Sequence, residues 1–561
     1  MKKLNTEKYT CLEIFAKAKT EGGKIRLVSG KGSIMEKEAS SVFYTWMKFT
    51  VEQGMEYEIE SGACEVTLCY LSGSGDILET GVCYLEKEKE SGRYLPAREE
   101  LYYDSPIRES YHFAPWKNWM NDPNGLCYFK GYYHMFYQFN PHGQKWSNMY
   151  WGHAASRDLV HWVHLPVVLA PQAEIAERPE ELVGGAFSGC AVVEGGEAVF
   201  YLTRHTEPRE DYRKQAESQW MMKSKDMIHF TEEKCVVGEK PEGASFDFRD
   251  PKVEKIGGRW YMVLASAIGG KGSILLYESE DMEHWSYLHP LLTEESEGIR
   301  SFECPDFMEL DGKYVAIGAW MGHRDDCGRL QMSRYYIGSW KERKLETESS
   351  GWFDFGSNCY AMQSFAHEGR RICIGWISDF YGEHVERENG AYGSMTLPRQ
   401  LHVRDGKLYM MPVEEVSLLK GENLYHGEKE DVSLTCIEGN AYRAKIRFLE
   451  NTWFSILLGK DGEKEISLCN DEGGLRIVTK GVKSEGINFR ADVKEVAVLE
   501  IYMDRRVAEV YVNEGEAAGT KLFYNSSSHG CFVLKAEKPG NIAEAEVSLM
   551  NGIWNGKEGK R

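Results

Sequence analysis

Gly258-Arg-Trp-Tyr-Met-Val-Leu264 places a turn-forming glycine ahead of an unbroken apolar and aromatic run. A glycine turn before such a run marks a short β-strand buried on both faces. The same phrase begins at Gly131, Gly196, Gly312 and Gly369, so there are five copies at intervals of 65, 62, 54 and 57 residues. A turn and short strand repeated at this period is the mark of a β-propeller, one copy per blade. A second phrase recurs inside the first three intervals: SRDLVHW from Ser156, SKDMIHF from Ser224 and SEDMEHW from Ser279. Each combines a polar turn, an aspartate and an aromatic that anchors the next strand. The expectation is an all-β, five-bladed propeller.

Eight or nine residues before each glycine stand Asp122, Ser188, Asp250, Glu303 and Tyr360. If the glycines mark equivalent hairpins, these five occupy matching positions on the innermost strands, which surround the central channel. Three carboxylates distant in sequence then meet at one channel end. Paired carboxylates in an aromatic-lined pocket suit glycoside cleavage: one attacks the anomeric carbon, and the other protonates the leaving oxygen and then deprotonates water. Arg249 is expected to hold a neighbouring carboxylate ionised, and the apolar neighbours of Glu303, Phe302 and Pro305, to raise its pKa.

Outside the repeat, Tyr44–Val51 and Cys64–Leu71 alternate as strands do, as do Ala497–Met503 and Arg506–Asn513. The expected division is a β-rich accessory domain over 1–105, the catalytic propeller over 106–415 and a C-terminal β-sandwich over 416–561. The formal charge of −20 disfavours nucleic acid as a partner. No apolar run has the length of a membrane span, and charged residues interrupt the N-terminus where a secretory signal would lie. The expected location is therefore the cytoplasm, with no membrane partner. The fourteen cysteines include no CxxC pair, and His134, His153, His161 and His164 lack ligand spacing, so no metal and no cofactor are expected.

WMNDPNG (Trp119 to Gly125), FRDPKV (Phe248 to Val253) and ECPDF (Glu303 to Phe307), in this order, resemble the three motifs of glycoside hydrolase family 32, the invertases, sucrose-6-phosphate hydrolases, levanases and inulinases. YQFNP from Tyr137, FSG from Phe187, LPRQL from Leu397 and DRRVAEVYVNEGE from Asp504 are similar to further family landmarks. The resemblance implies a retaining β-fructofuranosidase with Asp122 as nucleophile, Asp250 as transition-state stabiliser and Glu303 as acid/base; a pocket at the end of a narrow five-bladed channel admits one terminal residue, so exo action is expected. The resemblance places Asn121, Gln138, Trp146, Phe187, Ser188 and Arg249 against the fructosyl unit and Trp376 at the pocket floor or rim. Asn358-Cys-Tyr-Ala and Gly375-Trp-Ile-Ser depart from common family spellings, and both departures are expected near the pocket mouth. The implied substrate is a small carbohydrate, sucrose or a fructan. Two alternatives stay open: a fructosyltransferase on the same residues, and a non-catalytic sugar-binding protein. A homo-oligomer is equally left open. Residues 1–105 precede the resemblance, so their removal is expected to leave some activity on a small substrate, provided that the rest stays folded.

Overall fold

The computed structural model describes residues 3–98, 103, 105, 107–383, 390–523 and 525–554. Five antiparallel sheets follow one another along the middle of the chain. Their innermost strands are Asn118–Phe129, Leu182–Glu194, Arg249–Ile256, Ser301–Leu310 and Cys359–His367. Each touches the next, and the fifth returns to the first, which closes a five-bladed ring. The quoted glycines form the hairpins between the first and second strands of the blades, and Gly131, Gly196, Gly258, Gly312 and Gly369 all have φ between 74° and 92°.

The SRDLVHW-type phrases turn the chain from third strand towards fourth in the first three blades. In each, the aspartate (Asp158, Asp226, Asp281) accepts from two backbone amides and from a histidine Nδ1 three residues on, at 2.7–2.8 Å. The residue after the aspartate is left-handed in all three, with φ 66–69° at Leu159, Met227 and Met282. The aspartate's local bonds supply what the turn takes from the ladder.

The four main strands of each blade come from one continuous stretch, so the ring is closed by a smaller element. A short strand, Ala391–Tyr392, extends from the fifth-blade connection and pairs in parallel with Asn118 and Trp119 of the first blade. Tyr392 stacks on Trp119 at 4.9 Å.

After the ring come two packed six-stranded sheets over Lys420–Met550, a β-sandwich. Before it, strands between Leu4 and Pro96 form a four-stranded and a five-stranded sheet. This N-terminal module is not a loose appendage. Its Phe15, Leu68, Tyr70 and Ile77 share one apolar cluster with Trp116, Tyr150 and Val167 of the propeller. Among the described residues, no helix is long and apolar enough to cross a membrane.

Candidate active site

The innermost strands are not regular. Each breaks register against its neighbour at the channel end: between Met120 and Pro123, Ala186 and Gly189, Arg249 and Lys252, Glu303 and Asp306, and Tyr360 and Gln363. Two residues on the inner strand then face one on the partner, a β-bulge that re-aims side chains. Measured from these bulges the five expected residues do not share one rung. Asp122 and Ser188 are the second bulge residue, Asp250 the first, and Glu303 and Tyr360 lie just ahead. The spacing to the glycine hides the extra residue, so the matching-position argument holds only to within two residues. Bulges with backbone at φ 61° (Asp250), 45° (Cys304) and 51° (Ala361) are strained for non-glycine residues and concentrate at this one end.

The three carboxylates nevertheless meet. The Cys304 thiol lies 3.4 Å from Asp122 Oδ2 and 3.6 Å from Asp250 Oδ2, and the Cys304 amide donates to Asp250 Oδ2 at 2.9 Å. Ser188 Oγ donates to Asp122 Oδ2 at 2.5 Å, and Asn121 Nδ2 to Asp122 Oδ1 at 3.1 Å. Glu303 accepts from Arg249 at 3.0 Å and from the Tyr360 hydroxyl at 2.5 Å.

Burial raises Asp250 to about 7; Arg249 opposes this, while Glu303 and Asp122 add to it. Arg249 therefore favours the ionised carboxylates as expected, but burial outweighs it at Asp250, and its guanidinium pairs directly with Glu303, Asp247 and Glu217. Burial also raises Glu303, against the pull of Arg249 and the Tyr360 hydrogen bond. Below Arg249 lies Glu217, which sequence reasoning missed. It accepts from Arg249 at 2.9 Å and from His205 Nδ1 at 2.7 Å, and His205 stacks under Phe187 at 4.0 Å. Burial disfavours the Glu217 charge, but Arg249 and His205 hold it down at about 2.

All ten residues singled out from the sequence line one cavity of ≈590 Å³: Asp122, Asp250, Glu303, Asn121, Gln138, Trp146, Phe187, Ser188, Arg249 and Trp376. Trp119, Tyr212, Arg300, Tyr360, Phe380 and Tyr392 line it too and had not been assigned to it. Neither Asn358 nor Ser378 does. Asn358 is buried, donates to the Ser378 carbonyl at 2.6 Å and accepts from the Leu522 amide of the sandwich at 3.1 Å. These departures therefore sit on the seam between propeller and sandwich and not, as expected, at the pocket mouth.

The sequence model described as the glycosyl hydrolases family 32 N-terminal domain matches residues 112–412. The chain belongs to glycoside hydrolase family 32. Among curated family members, a sucrose-6-phosphate hydrolase of Zymomonas mobilis is 34% identical over 444 residues, 73% of this chain and 84% of that protein. A levanase of Bacillus subtilis is 28% identical over 511 residues, 82% of this chain and 72% of that protein. A solved family 32 structure from Bifidobacterium adolescentis is 33% identical, with TM-score 0.92 over 98% of this chain and 99% of that one. That match takes in the N-terminal module. A Bombyx mori family 32 β-fructofuranosidase is 27% identical, with TM-score 0.69 over 80% of this chain and 95% of its own. This family 32 chain is an enzyme of the glycoside hydrolase class.

Proposed function

We propose that this enzyme is a retaining, exo-acting β-fructofuranosidase that releases terminal fructose from sucrose, fructo-oligosaccharides or fructans. The observation that carries the reading is the union of Asp122, Asp250 and Glu303, from three blades, in one pocket. The printed names of relatives, sucrose-6-phosphate hydrolase, levanase and β-fructofuranosidase, support the substrate class.

The residues divide the work by their surroundings. Asp122 is oriented by Ser188 and Asn121, so a carboxylate oxygen can attack the anomeric carbon as the glycosidic bond breaks. Glu303, raised by burial, keeps a proton for the leaving oxygen. The products of this step are the freed alcohol and a fructosyl ester on Asp122. Glu303, now ionised, takes a proton from water, which attacks the ester and releases fructose with retained configuration. Asp250 accepts hydrogen bonds from ring hydroxyls, and these strengthen as positive charge grows on the sugar. A fructosyltransferase would differ only in giving the ester to a sugar hydroxyl, so product chromatography at high sucrose separates the two.

The assignment is tested with azide. Acid/base catalysis contributes about 10²–10⁴-fold, so Glu303→Ala should lose most activity on sucrose and less on a fructoside with an activated leaving group. Azide needs no general base and should then yield β-fructosyl azide. Asp122→Ala should fail on every substrate. Retained azide product from Asp122→Ala, or inverted product from Glu303→Ala, would reverse the roles.

A further inference from the structure

A second cavity is built by two modules together. It measures ≈500 Å³, with Phe43, Tyr44 and Trp46 of the N-terminal module on one side and His142, Ser147 and Asn148 of the first blade on the other. It shares a wall with the catalytic pocket. Residues 141–149 join the second and third strands of the first blade, and each cavity takes part of its lining from this loop. Trp146, 43% exposed, lines the catalytic pocket, and the Gly143 carbonyl accepts from the Trp119 amide at 2.9 Å. His142, Ser147 and Asn148 face the cleft.

The N-terminal module braces that wall. Tyr44 stacks on His142 with ring centres 4.2 Å apart and planes within 10°, and Thr67 Oγ1 hydrogen-bonds His142 Nδ1 at 3.2 Å. Burial lowers His142 to about 3, so the ring is neutral. Concave sites of about 300–1,000 Å³ at module junctions, lined by aromatic rings beside a few polar groups, are the usual form of small-ligand sites. Sugars fit such a lining, because their C–H faces pack on rings while their hydroxyls reach amide and hydroxyl side chains. Glu180 offsets one of the two cations at this cleft, Lys17 and Arg209, which leaves a single net positive charge that a neutral sugar tolerates.

We infer that the cleft is a second saccharide site, which takes the outer residues of a fructosyl oligosaccharide whose terminal residue occupies the catalytic pocket. A disaccharide ends before the Trp146 partition; a longer chain crosses it. The inference rests on the fructosidase reading. It makes the N-terminal module a determinant of chain-length preference.

The test compares sucrose with a purified fructo-pentasaccharide on wild type, Phe43→Ala and Ser147→Trp, the last intended to fill the cleft. Loss of one aromatic contact should raise KM for the pentasaccharide about three- to tenfold, with kcat and the sucrose KM unchanged. Unchanged pentasaccharide KM in both variants, or an equal rise for both substrates in variants that melt like wild type, overturns the inference. Wild-type enzyme that frees fructose from neither substrate would sink the fructosidase reading instead. Calorimetric titration of the pentasaccharide into wild type and Phe43→Ala then decides the cleft alone: weaker binding to the variant supports it, and equal binding removes it.

Discussion

Tyr360 donates to Glu303 and so favours the ionised carboxylate. Tyr360→Phe removes that donor, which raises the Glu303 pKa. The alkaline limb of kcat/KM, where the acid is lost, should then move upward by about one pH unit; a limb that stays in place would mean that another group sets it. Glu217→Ala would leave Arg249 and His205 buried without their shared counter-charge. Breaking such a buried network costs about 3–5 kcal/mol, read as a large fall in melting temperature, whereas Glu217→Gln should keep part of the hydrogen bonding. At this scale the sequence was uneven. Asp122, Asp250 and Glu303 were legible because they precede glycine turns at similar spacing and sit in recognisable phrases. Tyr360 was seen at the right spacing, yet a strand tyrosine reads as core. Glu217 had no signal: it lies on a third strand, 32 residues from Arg249, and meets it only through blade packing.

The recurring aspartate turns are the clearest unit above the residue. In the first of them Asp158 accepts from the Val160 and His161 amides and from the His161 ring. Its replacement by alanine strands these donors, as loss of a helix cap does, and should cost about 1–2 kcal/mol. Thermal denaturation of Asp158→Ala would measure this; an unchanged melting temperature would show that the turn is held by its buried Leu159 and Trp162 alone. Glycine and aspartate phrases could be found in the sequence because turns demand particular residues at particular φ. The bulges could not. A bulge adds one residue without a required side-chain type, and Asp250, Cys304 and Ala361 adopt left-handed backbone that their identities do not announce.

For the whole molecule, the decisive seam joins propeller to sandwich. His112 is enclosed by Asp504 Oδ2 at 2.8 Å and Glu509 Oε1 at 3.1 Å, while Arg399 reaches Glu509 and Asp354 from the propeller side. Burial would discharge the imidazole, but the two carboxylates raise it from 6.5 to about 9. That rise corresponds to about 3 kcal/mol of stability. It is fully present below pH 6.5 and fades as pH climbs through 9, so melting temperature should drop in that window, and less so in His112→Gln. An equal drop in both would place the titration elsewhere. The phrase Asp504 to Glu516 was legible as sandwich strand, but nothing in it showed that Asp504 and Glu509 turn back to clamp the other domain. The N-terminal module gives a similar lesson. Activity on a small substrate after its removal depends on the rest staying folded; since the module shares an apolar cluster with the propeller, loss of 1–105 should expose Trp116 and Tyr150 and lower solubility. A soluble truncation that melts like the full chain would show those contacts to be dispensable.

The ring is fastened where Ala391 and Tyr392 pair with Asn118 and Trp119, and Trp119 and Tyr392 also line the catalytic pocket. Clasp and pocket mouth are one piece of the molecule. A sugar seated between them therefore holds the first and fifth blades together, and at about a hundred times its dissociation constant would add about 2.7 kcal/mol to the closed ring. The Asn118 amide, which donates to the Gly390 carbonyl at 2.9 Å, becomes a reporter of occupancy through its hydrogen exchange.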